Sequence, residues 1–245
     1  MNPLAHTRHA LDDPDRKRDY NRALFREVAP RYDLITRLLS FGRDAAWKRW
    51  MLQHLPADNP TRILDLACGT GDLTRALADA HPDADVIGLD LTPEMLERAR
   101  RLAPDRITFL EADMTDTRLE SHTIDLVTGG YALRNAPDLE AALREINRLL
   151  RPGGHAAFLD FSAPRSPLPR RLQYGLLLFW GGLWGLLLHA DPRVYAYIAR
   201  SLARFPDRPR LHHAFRQLGW TPVRHRRFML GFIEVIICRK PVHEG

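Results

Sequence analysis

The run Ile63-Leu64-Asp65-Leu66-Ala67-Cys68-Gly69-Thr70-Gly71-Asp72-Leu73-Thr74 carries an apolar strand into a Gly-x-Gly turn and then a helix. Such a junction sets bare backbone amides at the carboxyl end of the first strand, where open α/β sheets bind ligands. A glycine there lets a nucleotide approach the main chain. Some twenty residues on, the second strand ends in Asp90-Leu91, at the interval where a carboxylate accepts both ribose hydroxyls. The acidic flanks Asp65 and Asp72 disfavour a pyrophosphate and suit a sulfonium with an α-amino group. Thr74 stands where a dinucleotide fingerprint needs its third glycine. The ligand that fits this set is S-adenosyl-L-methionine. A plain tight turn is the alternative for Gly69 and Gly71, and it is Asp90 that tells against it.

Two further strand ends add to the site. Glu111-Ala112-Asp113-Met114 offers Asp113 to an adenine amino group and Met114 to the ring face, with a polar loop over a buried methionine as the plainer alternative. Thr128-Gly129-Gly130-Tyr131-Ala132-Leu133-Arg134-Asn135 permits close approach of a ligand at Gly130 and puts a cation and an amide, Arg134 and Asn135, at the mouth of the site.

The elements that must hold these residues follow from periodicity. Short β-branched runs predict strands over Arg62–Leu66, Asp85–Leu89, Ile107–Glu111, Ile124–Thr128 and His155–Phe161, alternating with helices over Asp72–Ala80, Pro93–Leu102 and Asp138–Leu150. Asp138 is an N-cap, and Arg151-Pro152-Gly153-Gly154 is a stop followed by a turn. Thr221–Phe228 and Phe232–Arg239 read as an antiparallel hairpin added to that sheet. The fold class is therefore α/β, Rossmann-like, with a mostly parallel seven-stranded sheet. The expected organisation is a flexible stretch over 1–19 and one domain over 20–245, with a helical cap at 20–60 and a helical lid at 163–219.

With 45% hydrophobic and 27% charged residues, the 245-residue chain has the composition of a globular protein. Its net charge of +6 suits an anionic partner, or is simply a solvated basic surface. No basic run interleaved with aromatics is present, so no nucleic-acid partner is expected. Cys68 and Cys238 lie far apart, without metal-ligand spacing, and predict neither a disulfide nor a metal site. The amino terminus has no apolar core segment, so no signal peptide is expected and the default compartment is the cytoplasm. A homodimer is compatible with the sequence.

The chain resembles the class I methyltransferases that C-methylate the prenylated ring in ubiquinone and menaquinone biosynthesis. The resemblance spans residues 20–240. It rests on Tyr32-Asp33-Leu34-Ile35-Thr36-Arg37-Leu38-Leu39-Ser40-Phe41-Gly42-Arg43-Asp44-Ala45-Ala46-Trp47, on Leu133-Arg134-Asn135, on Arg148-Leu149-Leu150-Arg151-Pro152-Gly153-Gly154 with Asp160-Phe161-Ser162, and on Tyr195-Ala196-Tyr197 with Phe205-Pro206. It departs from the family's pattern at Ile35 and Thr36, at Asp44 in place of a histidine, and at Asp160 in place of a glutamate.

The resemblance implies that Thr70, Asp90, Asp113, Met114 and Gly130 contact S-adenosyl-L-methionine, and that Tyr32, Arg134 and Asn135 lie near the reacting ring of a prenylated quinol. In that chemistry a cation stabilising the ring's oxyanion lowers the barrier. Arg134 is the candidate, with Asn135 and Tyr32 orienting the oxygens and His189, Asp160 and Asp191 as lesser candidates for the base. Another aromatic or polyketide acceptor, or a non-catalytic lipid-binding role on the same fold, are the competing readings.

The segment Tyr174–Leu188 is the most apolar in the chain, and residues 172–190 hold no Asp, Glu, Lys or Arg. Length alone allows a membrane span. Against it stand Gly175, Gly181, Gly182 and Gly185, and a position between two strands of one sheet. The readings left are a lid helix packed on the core, or a segment lying on an anionic membrane surface, flanked by Arg165, Arg170, Arg171 and Arg193. Phe179, Trp180 and Trp184 are the candidates to face a prenyl chain.

Overall fold

The structure, a computed structural model, describes residues 11–56 and 59–242. Helix α1 (Pro14–Val28) leads through a 3-10 turn into α2 (Tyr32–Leu39) and α3 (Asp44–Gln53). The core follows as β1 (Arg62–Leu66), α4 (Asp72–Ala80), β2 (Asp85–Asp90), α5 (Pro93–Leu102), β3 (Ile107–Glu111), β4 (Ile124–Gly130), α6 (Ala132–Asn135), α7 (Leu139–Leu149) and β5 (Leu150–Phe161). Then come α8 (Pro167–His189), α9 (Arg193–Arg204), α10 (Arg208–Gln217), β6 (Thr221–Phe228) and β7 (Ile233–Arg239).

The sheet order is β3-β2-β1-β4-β5-β7-β6, parallel except where β7 pairs antiparallel with both β5 and β6. Period-two alternation feeds two cores. Leu64, Ile87, Val127, Phe158 and Ile236 face α7 and Trp220, while Ile63, Val86, Leu126, Leu159 and Val235 face Trp47, Met51, Leu73 and Leu77. Both faces are covered, as a sheet apolar on both sides requires.

Two expectations change. Residues 1–10 lie outside the described residues, but the end of the supposedly flexible stretch is helical. Asp13 caps α1 by accepting from the Arg16 amide at 2.9 Å, and Pro14 occupies the first turn. Second, Arg151–Gly154 does not interrupt β5. Gly153 takes φ +79° and its amide donates to the Pro241 carbonyl, so the expected turn is absorbed as an irregularity in a strand that begins at Leu150.

Cap and lid meet above the carboxyl ends of the strands. Tyr20, Leu24 and Val28 of α1, Ile35 of α2 and Val194, Tyr195 and Tyr197 of α9 share a third buried cluster. Within the lid, α8 seats on α9 through glycines. A Cβ on Gly181 would lie 2.7 Å from the Tyr195 carbonyl oxygen, and one on Gly185 would lie 2.6 Å from that of Asp191. These residues therefore make the helix crossing possible rather than merely weakening a helix. Among the described residues α8 is the one helix long and apolar enough to cross a membrane, yet only 17% of its apolar window is buried. Most of its outer face has no protein against it.

Candidate active site

Two cavities meet at the strand ends. The first is a cleft walled by Gly69, Asp90, Leu91, Thr92, Asp113, Met114 and Gly130, with Leu89 and Met95 also lining it. The second, of about 340 Å³, is apolar and lies beneath α2, α8 and α9, with Leu24, Leu39, Trp47, Phe161, Phe179, Trp180 and Phe232 among its walls. Phe25, Tyr32, Tyr131 and Asn135 line both. Trp184 lines neither and instead packs edge-on against Trp180.

The cleft is built by its loop. Ala67, Gly69 and Gly71 all take positive φ (49°, 56° and 75°), so the chain folds back sharply before α4. Asp90 Oδ2 accepts from the Gly69 amide at 2.9 Å and Oδ1 from the Thr92 amide at 2.8 Å. Burial pushes its carboxyl above the usual range, against those bonds. Asp113 accepts from the Thr115 amide and hydroxyl, and from Arg18 Nε at 2.5 Å. Sequence reasoning missed Arg18, Arg22 and Arg26, one face of α1 at i+4 spacing, which reach Asp113, Glu111 and Glu94 along the cleft's rim. The sequence shows the i+4 spacing but not the carboxylates 68 to 95 residues away that it meets.

Three expected cofactor residues sit elsewhere. Thr70 donates to Asp33 Oδ1 at 2.6 Å, tying the loop to α2. Gly71 is the N-cap of α4. Asp65 is buried behind the loop, accepting from Thr74 at 2.7 Å and Thr128 at 2.8 Å, and does not line the cleft. Side chains alternate along β1, and Asp65 points into the sheet's flank, under the turn that it braces.

Burial raises the Asp65 carboxyl to about 6, although both threonines oppose this. The folded state thus holds a proton that the unfolded chain, with its ordinary value, has released. Stability falls as pH rises from about 4 to about 6, and the cost is complete above that. Asp65→Asn is expected to raise unfolding free energy at pH 8 by about 1–3 kcal/mol, because it removes the cost of ionising this buried carboxyl. Urea midpoints at pH 8 and pH 4 check this: the gain should vanish at the lower pH.

Arg134 is buried against the apolar cavity. Its Nη1 donates to the Ser201 hydroxyl, its guanidinium lies 5.2 Å from the Phe161 ring and 5.8 Å from that of Tyr197, and Asp160 Oδ1 is 3.8 Å from Nε. Its Nε is buried without a hydrogen-bond partner among the described residues. Asn135 is locked: Nδ2 donates to the Tyr131 carbonyl at 2.9 Å, Oδ1 accepts from Tyr197 at 3.1 Å, and its carbonyl accepts from Asn21 at 2.7 Å. Burial holds the Tyr32 phenol well above its ordinary value, so it stays neutral.

The lesser base candidates are otherwise engaged. His189 meets the Tyr195 hydroxyl at 2.8 Å, and Asp191 is paired with Arg193. Asp160 accepts from the amides of Arg134 and Phe161. The replaced histidine position has its own network: Asp44 accepts from Tyr131 at 2.7 Å and pairs with Lys48, which also pairs with Asp72. Burial pulls the Lys48 ammonium down, but Asp72 and Asp44 outweigh it and hold the group above its ordinary value.

An acidic strand end at Asp90, a Gly69 that lets a ligand come close to the main chain, an apolar floor of Leu89, Met95 and Met114, and no phosphate-binding cation on the loop fit a nucleoside sulfonium. Fold and cleft together define a class I methyltransferase that uses S-adenosyl-L-methionine. The sequence profile of the ubiE/COQ5 methyltransferase family matches residues 14–240, and the chain belongs to that family. It is similar to the ubiquinone/menaquinone biosynthesis C-methyltransferase UbiE of Syntrophotalea carbinolica, at 38% identity over 86% of this chain and 90% of that one. It is also similar to the demethylmenaquinone methyltransferase of Thermus thermophilus, at 37% identity over 89% of this chain and 100% of that one. Among solved structures, the putative methyltransferase bound to the Haloferax volcanii Trm112 activator superposes with a TM-score of 0.64 at 19% identity, covering 89% of this chain and 97% of that one.

Proposed function

We propose that the acceptor is a ring carbon of a prenylated quinol, a demethylmenaquinol or the equivalent benzoquinol, with the ring at the four shared residues and the tail in the apolar cavity. The observation that carries this is the shared wall itself. Phe25, Tyr32, Tyr131 and Asn135 are the only residues common to both linings among the described residues, so a methyl group held in the cleft reaches the cavity there. S-Adenosyl-L-methionine supplies an electrophilic methyl group. Asp90 holds the ribose and Met114 the adenine face, with Gly69, Leu91, Asp113 and Gly130 completing the wall.

Holding the ring carbon in line with that methyl is the main task, since the leaving sulfide needs no proton. The guanidinium of Arg134, a cation on the wall of the apolar cavity, stabilises the oxyanion of the ionised quinol. Tyr32 donates to the second oxygen, and Asn135, fixed by three bonds, shapes the ring's edge. Incubation of purified protein with methyl donor and a demethylated prenyl quinol should give the C-methylated ring, with turnover falling as the tail is shortened. Equal turnover on a tail-free ring contradicts this reading.

The cavity rim favours contact with a membrane surface. Phe41 (61% exposed), Phe179 (70%) and the fully exposed Leu230 come from three separate segments, with exposed Arg37, Arg165, Arg171 and Arg227 nearby in those segments. Exposed apolar side chains on segments that also carry exposed arginines suit an anionic interface, where a lipid-soluble substrate resides. The protein is expected to sediment with anionic liposomes at low salt and to lose at least half of that binding in Phe179→Ser/Leu230→Ser. No sedimentation at low salt contradicts it.

A further inference from the structure

Tyr131 has a role in neither the oxyanion nor the cofactor assignment, yet it lines both cavities. It is a non-glycine residue held at φ +60°, in the left-handed region, where such residues persist only when their surroundings over-determine them. Its amide donates to the Leu159 carbonyl at 2.6 Å and its carbonyl accepts from Asn135. The result is a phenol on the shared wall whose O–H donates a hydrogen bond to Asp44 Oδ1 at 2.7 Å.

We propose that Tyr131 is the group that takes the proton from the quinol hydroxyl, passing its own proton to Asp44. This rests on the quinol reading above. Burial, with Asp44 next, keeps the Tyr131 phenol well above its ordinary value, so it works as a neutral relay with a free lone pair rather than as a phenolate. The quinol O–H breaks and a new O–H forms on Tyr131 as the old one transfers to Asp44. The electron pair left on the quinol oxygen pushes into the ring; the ring carbon forms its bond to the methyl carbon while the S–CH3 pair returns to sulfur. Loss of the ring-carbon proton to water restores aromaticity, and Asp44 returns its proton through Tyr131 to the oxygen. One proton is released per turnover and the relay is reset.

The charged and titratable groups facing the relay are Asp44 and Lys48 of α3, Asp72 of α4, Tyr32 of α2 and Asp160 of β5. Lys48, 2.7 Å from Asp44, holds that carboxylate in place.

The test is steady-state methyl transfer to a demethylated prenyl naphthoquinol or benzoquinol, kept reduced, by wild type, Tyr131→Phe and Asp44→Asn. Tyr131→Phe keeps the wall and removes only the hydroxyl. At neutral pH its kcat is expected to fall about 100-fold, the lower end for a general base, with both KM values within twofold. The deficit should shrink as pH approaches the quinol's own ionisation, a change that a merely structural role would not produce. Asp44→Asn should show the same profile; if it fails to fold, Tyr131→Phe decides alone. Wild-type kcat in Tyr131→Phe, or in a folded Asp44→Asn, overturns the relay. A wild-type protein that does not methylate the quinol would contradict the substrate reading instead.

Discussion

Arg134→Met is expected to lower kcat about a thousandfold while leaving S-adenosyl-L-methionine affinity within about threefold. Removing one preorganised donor to a developing oxyanion costs roughly two to three powers of ten, and here the donor is also a full charge in an apolar cavity. Methionine matches the stem in length and apolar packing, so the loss reports the guanidinium. A structural price accompanies it: breaking a buried pair costs about 3–5 kcal/mol when the partner stays charged. Asp160 moderates this, since two amides still bond it at 3.0 and 2.7 Å and burial already raises its carboxyl. It can therefore protonate, and the variant's stability deficit should shrink as pH falls. Thermal unfolding at two pH values, beside steady-state kinetics, separates the two effects. An Arg134→Met protein with normal kcat removes the oxyanion assignment.

Asp90→Ala should weaken S-adenosyl-L-methionine binding about a hundredfold. The substitution deletes the acceptor for the ribose hydroxyls and also orphans the Gly69 and Thr92 amides, which it holds at 2.9 and 2.8 Å. Each unsatisfied buried donor costs about 1–3 kcal/mol, so the loop that presents Gly69 loosens as well. Calorimetric titration measures the first effect and urea unfolding of the free protein the second. Asp90→Asn is expected to be weak too, because its amide nitrogen meets at least one N–H where an acceptor is needed. Undiminished affinity in Asp90→Ala would place the ribose elsewhere.

What the sequence made legible was local. The bounds of β1, β3, α4 and α5 follow from alternation and helical spacing alone, and Asp138 caps α7 by accepting from the Ala141 amide as expected. The positions of Asp90 and Gly69 are fixed by the same short-range geometry. What was not legible depends on contacts across the chain. Nothing local in the sequence shows that the Thr70 hydroxyl bonds Asp33, or that Asp65 is enclosed by Thr74 and Thr128. The three arginines of α1 have no visible purpose until the helix lies along the cleft. Asp44 looks like a mere departure from the family's pattern; only the turn at Tyr131 brings it a partner 87 residues away.

The apolar segment shows the same limit. Its four glycines count against a helix by propensity, yet α8 is continuous over 23 residues, with Gly181 admitting α9 and Gly185 the turn before it to close contact. Propensity was overridden by packing, and packing is invisible in a hydropathy profile. The outward apolar face could be counted in the sequence, but which side chains would line the cavity could not.

Methyl transfer from S-adenosyl-L-methionine to a ring carbon of a prenylated quinol has a direct readout in the cell. Mass profiling of quinones from a strain lacking this gene, with and without the gene restored, tests it most directly. A quinone lacking one ring methyl is expected to accumulate, its mass naming both ring and tail, with the methylated form restored by the wild-type gene but not by the Arg134→Met gene. An unchanged quinone profile in the deletion strain would contradict it.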